Sequence, residues 1–257
     1  MKIVGVIPSR MGSSRFPGKP LVKIAGLPMV EHVRRRALLC KNLADVVVAT
    51  CDPEIFDAVK EHGGKAVMTK PTHERCTDRV EEAAQGLEGD VFVTVQGDEP
   101  LLQPEWIEGV IGPFHRDEKI GCANLLSNLE SDEDLANTNI VKAACDVNGR
   151  VLFFARNFKP TYPGRARSPI YRQTGIQAFR AATLKLFSRL APTPFEQTES
   201  VDMLRLIEHG YAIAGVVMPA PTYGVDRPEH VSQIEKILRE DPVQKRLHER
   251  IAEAVVS

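Results

Sequence analysis

Lys2-Ile3-Val4-Gly5-Val6-Ile7 runs directly into Pro8-Ser9-Arg10-Met11-Gly12-Ser13-Ser14-Arg15-Phe16-Pro17-Gly18-Lys19-Pro20-Leu21, and this junction sets the reading of the whole chain. The first segment is apolar without alternation, the pattern of a strand buried on both faces. The second has the composition of an anion cradle. Its glycines let backbone N–H groups approach phosphate oxygens, and Arg10, Arg15 and Lys19 supply charge to neutralise a polyphosphate. A nucleoside triphosphate suits such a loop.

Spacing excludes two familiar phosphate-binding loops. Five residues separate Gly12 from Gly18 where the P-loop has four, and Lys19 is followed by Pro20 where that motif needs a Ser or Thr hydroxyl. No G-x-G-x-x-G follows the first strand, so the dinucleotide fingerprint is absent as well.

The rest of the chain alternates strands with helices through its first half. Asp45 to Thr50, Ala66 to Thr69 and Val91 to Val95 read as further buried strands. Between and after them, Met29 to Leu38, Pro53 to His62, Thr77 to Leu87 and Pro104 to Phe114 read as amphipathic helices. In the first helix Met29, Val30, Val33, Ala37 and Leu38 form the apolar face, with Glu31, Arg34 and Arg35 off it. The rhythm predicts an α/β fold, a Rossmann-like and mostly parallel sheet flanked by helices. After residue 120 the pattern changes. Ile140 to Cys145 and Arg150 to Ala155 flank Asp146-Val147-Asn148-Gly149, whose Asn-Gly pair signals an antiparallel hairpin. The polar stretch Asn157 to Pro169, with Lys159, Arg165 and Arg167, suits a lid or an interface segment. Gln173 to Phe179 and Ala212 to Met218 read as strands. Ala182 to Leu190, Glu199 to Glu208, Pro228 to Arg239 and Pro242 to Val255 read as helices.

Composition narrows the class. The 257 residues suffice for one sizeable α/β domain, which buries about 70% of the surface of its unfolded chain. Lysine and arginine total 33 against 34 acidic residues, a balance that offers no global field for nucleic acid or an anionic membrane. The five cysteines, Cys40, Cys51, Cys76, Cys122 and Cys145, show no C-x-x-C spacing and read as reduced thiols, small buried hydrophobes in a soluble cytoplasmic protein. No apolar stretch approaches the roughly 20 residues of a bilayer span. Trp106 reads as packing at a helix start. His32, His62, His115, His209, His230 and His248 lack ligand spacing and read as surface residues.

Two carboxylates stand where ligands bind in open α/β sheets, beyond the carboxyl ends of strands. Asp98, in Gln96-Gly97-Asp98-Glu99-Pro100, is the best metal candidate, with a turn cap as the structural alternative. Asp226, in Gly224-Val225-Asp226-Arg227-Pro228-Glu229, opens a helix and reads as an N-cap, with Glu229 completing a capping box; that role is compatible with metal binding.

These three segments, with Thr77-Asp78-Arg79 and Asn137-Thr138-Asn139-Ile140-Val141-Lys142 between them, resemble the bacterial CMP-Kdo synthetases (3-deoxy-manno-octulosonate cytidylyltransferases) over roughly residues 2 to 238. The resemblance implies transfer of CMP from CTP to the anomeric hydroxyl of a 2-keto sugar acid, with release of pyrophosphate, in lipopolysaccharide biosynthesis. It implies that Arg10, Ser13 and Lys19 hold the triphosphate beside Pro8 and Arg15. Gln96 and Arg79 would fix the cytidine, and Asp98 and Asp226 would bind Mg2+. It implies a homodimer as well, with one domain over 1–257 and residues 120–180 as an antiparallel insertion serving dimerisation and acceptor binding.

The departures lie in the acceptor half. The family's His-x-Ser-Gly-Thr-Asp/Glu-Arg reads here His73-Glu74-Arg75-Cys76-Thr77-Asp78-Arg79, which places Cys76 near the site. Its His-Ile/Leu-Gly-Ile-Tyr reads Gln173-Thr174-Gly175-Ile176-Gln177, and its Glu-Gln-Leu-Arg reads Asp202-Met203-Leu204-Arg205. Gln173, Gln177, Asp202 and Met203 are therefore the expected acceptor contacts. Arg156 matches the family's Ser-Arg after the hairpin and is a candidate carboxylate ligand, with a plain surface arginine as its alternative. A different acidic acceptor, such as a modified Kdo, a nonulosonic acid or a surface-polysaccharide substituent, stays open beside Kdo. So does a catalytically silent nucleotide-binding regulator, although intact Arg10, Lys19, Asp98 and Asp226 argue against silence.

Overall fold

A computed structural model describes residues 1–13, 15–158, 170–218 and 223–253. The chain packs as two compact units, Met1–Glu108 together with Thr222–Ser257, and Gly109–Pro221.

The first unit is built on four parallel strands, β1 (Ile3–Ser9), β4 (Asp45–Thr50), β5 (Lys65–Met68) and β6 (Val91–Val95), in the order β6-β1-β4-β5. All seven residues of β1 and all five of β6 are buried, as apolar runs without alternation require. Helices α1 (Met29–Leu38), α2 (Pro53–Glu61), α3 (Cys76–Ala84) and α4 (Pro104–Arg116) follow the expected rhythm, and a small hairpin of β2 (Lys23–Ile24) and β3 (Leu27–Pro28) precedes α1. Trp106 packs inside at the start of α4.

The second unit holds β7 (Cys122–Ser127), α5 (Asp132–Ala136), β8 (Lys142–Cys145), β9 (Val151–Ala155), β10 (Ile170–Arg180), α6 (Ala181–Phe187), α7 (Pro194–Glu199), α8 (Leu204–Glu208) and β11 (Ala214–Met218). The Asn-Gly hairpin forms: β8 and β9 pair antiparallel from Lys142 opposite Ala155, and Gly149 takes a left-handed φ of 81°. β10 runs antiparallel to both β7 and β8, while β11 is parallel to β7. A bulge interrupts the β7–β10 register between Gln173 and Gln177. Residues 159–169, with the expected lid cations, lie outside the described residues.

Three expectations are corrected here. The helix expected over 199–208 is broken: α7 ends at Glu199 and α8 begins at Leu204. Ser200 turns left-handed at φ 52°, and the chain reverses so that Glu208 at the end of α8 accepts from the Thr193 hydroxyl at 2.5 Å and the Glu196 N–H at 3.1 Å. Arg205 then meets Glu196 through two bonds of 2.8 and 2.6 Å, an arrangement that one continuous helix would forbid. β7 has no counterpart in the sequence reading, because Cys-Ala-Asn-Leu-Leu-Ser contains no β-branched or aromatic residue. The third correction is α1, whose charged residues are buried: Glu31 pairs with Arg34 at 2.7 Å and Arg35 at 3.0 Å, whereas Leu38 is the exposed one.

The chain returns to the first unit with α9 (Glu229–Glu240) and α10 (Pro242–Glu253). Ile234 and Leu238 of α9 join Ile24, Met29, Leu101 and Val225 in one core cluster. α10 closes over α1 through buried polar groups. Arg36 donates to the Leu102 carbonyl at 3.1 Å and to Gln244 Oε1 at 2.7 Å, and Gln244 donates to the Leu101 carbonyl at 3.1 Å. His32, read from the sequence as a surface residue, is fully buried and stacks on His248 with ring centres 5.4 Å apart. Among the described residues no helix is long and apolar enough to cross a membrane.

His32 carries a pH consequence. Its Nε2 bonds the Ile24 carbonyl at 2.7 Å, while Nδ1 has no partner among the described residues. Burial, with Arg36, His248 and Arg35 adding to it, lowers its pKa from 6.5 to about 4, so the native state resists the proton that the unfolded chain takes up. Stability is therefore full above pH 6.5 and falls as the pH drops towards 4, by roughly 3 kcal/mol in all from this group. His32→Gln, which keeps a donor for Ile24 and removes the titration, is expected to flatten the decline of the urea midpoint over that window; an unchanged slope would contradict the assignment.

Candidate active site

The opening loop is organised around the peptide of Met11. Its carbonyl accepts from the N–H groups of Ser13 at 2.9 Å and Gly18 at 3.1 Å, and Gly18 adopts the left-handed φ of 72° that this closure needs. A single 3-10 turn, Lys19–Leu21, follows and aims Lys19 inward. Its ammonium lies 2.6 Å from Asp98 Oδ2 and 3.8 Å from Asp226 Oδ1, with only 13% of the side chain exposed. Arg15 reaches Asp226 Oδ1 at 3.1 Å. The Val225 N–H donates to the Asp98 carbonyl at 2.9 Å, so the two acidic segments are joined through the backbone as well.

Arg10, Ser13, Arg15, Lys19, Asp98 and Asp226 thus fall on one set of adjoining loops in the first unit. Arg10 is exposed directly after β1, and Pro8 is buried at the end of that strand. Ser13 Oγ accepts from the Phe16 N–H at 3.3 Å, an internal brace of the loop. Gln96 Oε1 is 3.6 Å from the Cys76 thiol, which is exposed at the start of α3 rather than buried as the cysteine reading had it; Cys51 is half-buried. Arg79 is buried, donating to Thr69 Oγ1 at 2.5 Å and to the Lys70 carbonyl at 3.5 Å. His73 pairs with Glu82, which also accepts the Lys70 N–H at 2.9 Å and has a lowered pKa: those bonds outweigh the raising effect of its burial.

The predicted capping box at Asp226 does not form. α9 starts at Glu229 with Pro228 in the cap position, the Asp226 N–H points to His230 Nδ1 at 3.1 Å, and the Asp226 carboxylate faces the cations instead.

The expected acceptor residues lie in the second unit. Arg156 clips two segments together, donating to the carbonyls of Glu199 at 2.7 Å, Thr138 at 3.2 Å, Asn139 at 3.4 Å and Ser200 at 3.4 Å. It is therefore neither a plain surface arginine nor, in this arrangement, an open carboxylate fork. Beside it the buried Lys142 ammonium donates to the carbonyls of Asn137, Ile140 and Arg156, and burial, with the Arg156 charge, lowers its pKa. Gln173 is half-buried and donates to Asn124 Oδ1 at 2.8 Å; Gln177 is buried, Asp202 is half-buried, and Met203 is fully enclosed.

A family model described as cytidylyltransferase matches residues 4–213. The chain belongs to the cytidylyltransferase family. Similar proteins include the 3-deoxy-manno-octulosonate cytidylyltransferase of Acaryochloris marina, 40% identical over 93% of this chain and 98% of that one. The protein of the same name from Syntrophobacter fumaroxidans is 41% identical over 95% and 99%. A solved structure of CMP:2-keto-3-deoxy-manno-octonic acid synthetase complexed with CTP superposes with a TM-score of 0.87 at 37% identity, covering 94% of this chain and 100% of that one. The α/β architecture with its mostly parallel core and antiparallel elements is the fold of this cytidylyltransferase.

Gly97 sits at a close approach of two strand ends. A Cβ there would lie 2.4 Å from Ser9 Oγ and 3.1 Å from the Pro8 carbonyl, so the ends of β1 and β6 approach only across a glycine. Gly97→Ala is expected to displace the segment that carries Asp98 and lower kcat/KM by at least about tenfold. Gly86→Ala, whose added Cβ meets nothing closer than 3.9 Å, serves as the control. Equal activity of the two variants would refute the claim.

Proposed function

We propose that this cytidylyltransferase transfers CMP from CTP to the anomeric hydroxyl of 3-deoxy-manno-octulosonate and releases pyrophosphate. The observation that carries the reading is the convergence of Asp98 and Asp226 on the Lys19 ammonium, at the mouth of a glycine-containing basic loop. In the balanced reaction the hydroxyl oxygen forms a bond to the α-phosphorus, the bond from that phosphorus to the pyrophosphate oxygen breaks, and the hydroxyl proton passes to solvent. Such displacement is promoted by positioning and charge neutralisation and needs no protein nucleophile. Lys19, Arg10 and Arg15 provide cations for the triphosphate and the departing pyrophosphate. Gln96 and Arg79 are assigned to the cytidine, with Pro8 and Ser13 shaping the loop.

The donor set fits Mg2+. Two carboxylates already share one cation, and among the described residues no group of three or more His, Cys, Asp or Glu side chains forms a closed protein cage. Magnesium is usually held by one or two carboxylates together with substrate phosphates and water. Asp98 and Asp226 would hold the ion, which supplies charge neutralisation at the reacting phosphate when bound. We assign the enzyme, on its family resemblance, to cytoplasmic lipopolysaccharide biosynthesis as a homodimer.

A second reading concerns the acceptor. Asn124 Nδ2 donates to the carbonyls of Leu125, Thr174 and Ile176, which fixes its amide, and Gln173 must then present Nε2 to Asn124 Oδ1. Gln173 Oε1 is left as an acceptor where the family carries a histidine, so the acceptor's hydroxyls meet a different group here, and a modified Kdo or another acidic sugar stands as the second reading.

Pyrophosphate release from CTP and Mg2+ is the test, with Kdo and a panel of related sugar acids. Release that is no greater with any sugar acid than without one would reject the transferase reading. A Kdo kcat/KM of roughly 10⁴ M⁻¹s⁻¹ or above that leads the panel would reject the second reading. Asp98→Asn and Asp226→Asn are expected to fold and to lose at least about 100-fold in kcat. Lys19→Met is expected both to raise KM for CTP and to lower kcat; wild-type constants would remove its phosphate role.

A further inference from the structure

Asp52 stands at the N-cap of α2, the position at which a carboxylate ordinarily accepts from its own helix. It makes no side-chain capping bond. Its Oδ2 instead accepts the Met11 N–H at 2.8 Å, across a separation of 41 residues, with the Cys51 thiol 3.6 Å from the same oxygen. The parallel register brings the two together, because Ser9 at the end of β1 lies opposite Thr50 at the end of β4. Both strands therefore deliver their following loops side by side.

Met11 is the hub of the opening loop. Its carbonyl already closes the loop onto Ser13 and Gly18, and Arg10 precedes it directly. With its N–H held by Asp52, both polar ends of this residue are fixed. This bond adds to the loop's own braces, Ser13 Oγ to the Phe16 N–H and Arg15 to Asp226, in a stretch where Arg10 is exposed and a Cβ on Gly12 would meet nothing within 4 Å. A carboxylate beside a polyphosphate cradle repels the guest, so its presence requires a compensating task. We propose that Asp52 is a positioning residue for the triphosphate loop, acting through the Met11 N–H to preset the loop before CTP arrives. The inference rests on the CTP reading given above.

A bond that orders the free loop acts on nucleotide capture more than on the chemical step, because saturating CTP holds the loop from the ligand side. Asp52→Ala is expected to raise KM for CTP about tenfold, leave KM for the acceptor in place and lower kcat by less than about threefold. Asp52→Asn, whose amide oxygen can still accept the Met11 N–H, is expected to restore KM to within about threefold of wild type. Hydrogen exchange at Met11 reads the same bond without any substrate, and should be protected in wild type and Asp52→Asn but fast in Asp52→Ala. If wild type itself shows no CTP turnover, the functional reading fails while the exchange result still judges the loop. Met11 exchanging equally in all three proteins, a wild-type KM in Asp52→Ala, or equal damage in Asp52→Ala and Asp52→Asn would overturn the proposal.

Discussion

A single ammonium group organises the acidic end of the first unit. Asp98 and Asp226 come from distant parts of the chain, and two partly buried carboxylates at such range repel each other unless a cation stands between them. Lys19 fills that place in the free protein. Around it the backbone is arranged so that the carboxylates have no choice of position: Gly97 lets β6 end against β1, the Val225 N–H binds the Asp98 carbonyl, and Arg15 draws in the other side of Asp226. In this arrangement Lys19 and Arg15 balance the two carboxylates.

The parts of this arrangement that were legible in the sequence are the local ones. The strands of the first unit announce themselves because a strand buried on both faces is a short unbroken apolar run, and the loop after β1 shows its chemistry in Arg10, Arg15, Lys19 and its glycines. Asp98 was visible because it follows a strand-like apolar run, and Asp226 because it precedes a helix after the last strand. What stayed hidden depends on partners far away in the chain. Nothing near Asp52 tells that its carboxylate will leave its own helix for Met11. Nothing near Arg36 tells that its partners are Leu102 and Gln244, so α1 read as a helix with a solvated charged face. β7 was missed for a different reason: its burial is imposed by the neighbouring strands β10 and β11, not by its own residue types.

The polar seam between α1 and α10 is costly by ordinary measures. Arg36 is fully buried, with Nε and Nη2 unpartnered among the described residues, and burial lowers its pKa to about 10. An apolar seam would satisfy more atoms. What the buried guanidinium adds is direction, since it and Gln244 grip the successive carbonyls of Leu101 and Leu102, just beyond Asp98. Apolar packing alone is indifferent to where those carbonyls point.

The first unit is discontinuous in the chain, with the whole second unit inserted between its parts. During synthesis the second unit is complete, and free to fold, while the ribosome has yet to make Asp226 and Gln244. The four parallel strands emerge early but wait for α9 and α10 before their core cluster and polar seam can close. Asp226 therefore reaches Lys19 and Arg15 only after the whole second unit has been made, so the charge-balanced centre is a late product of synthesis.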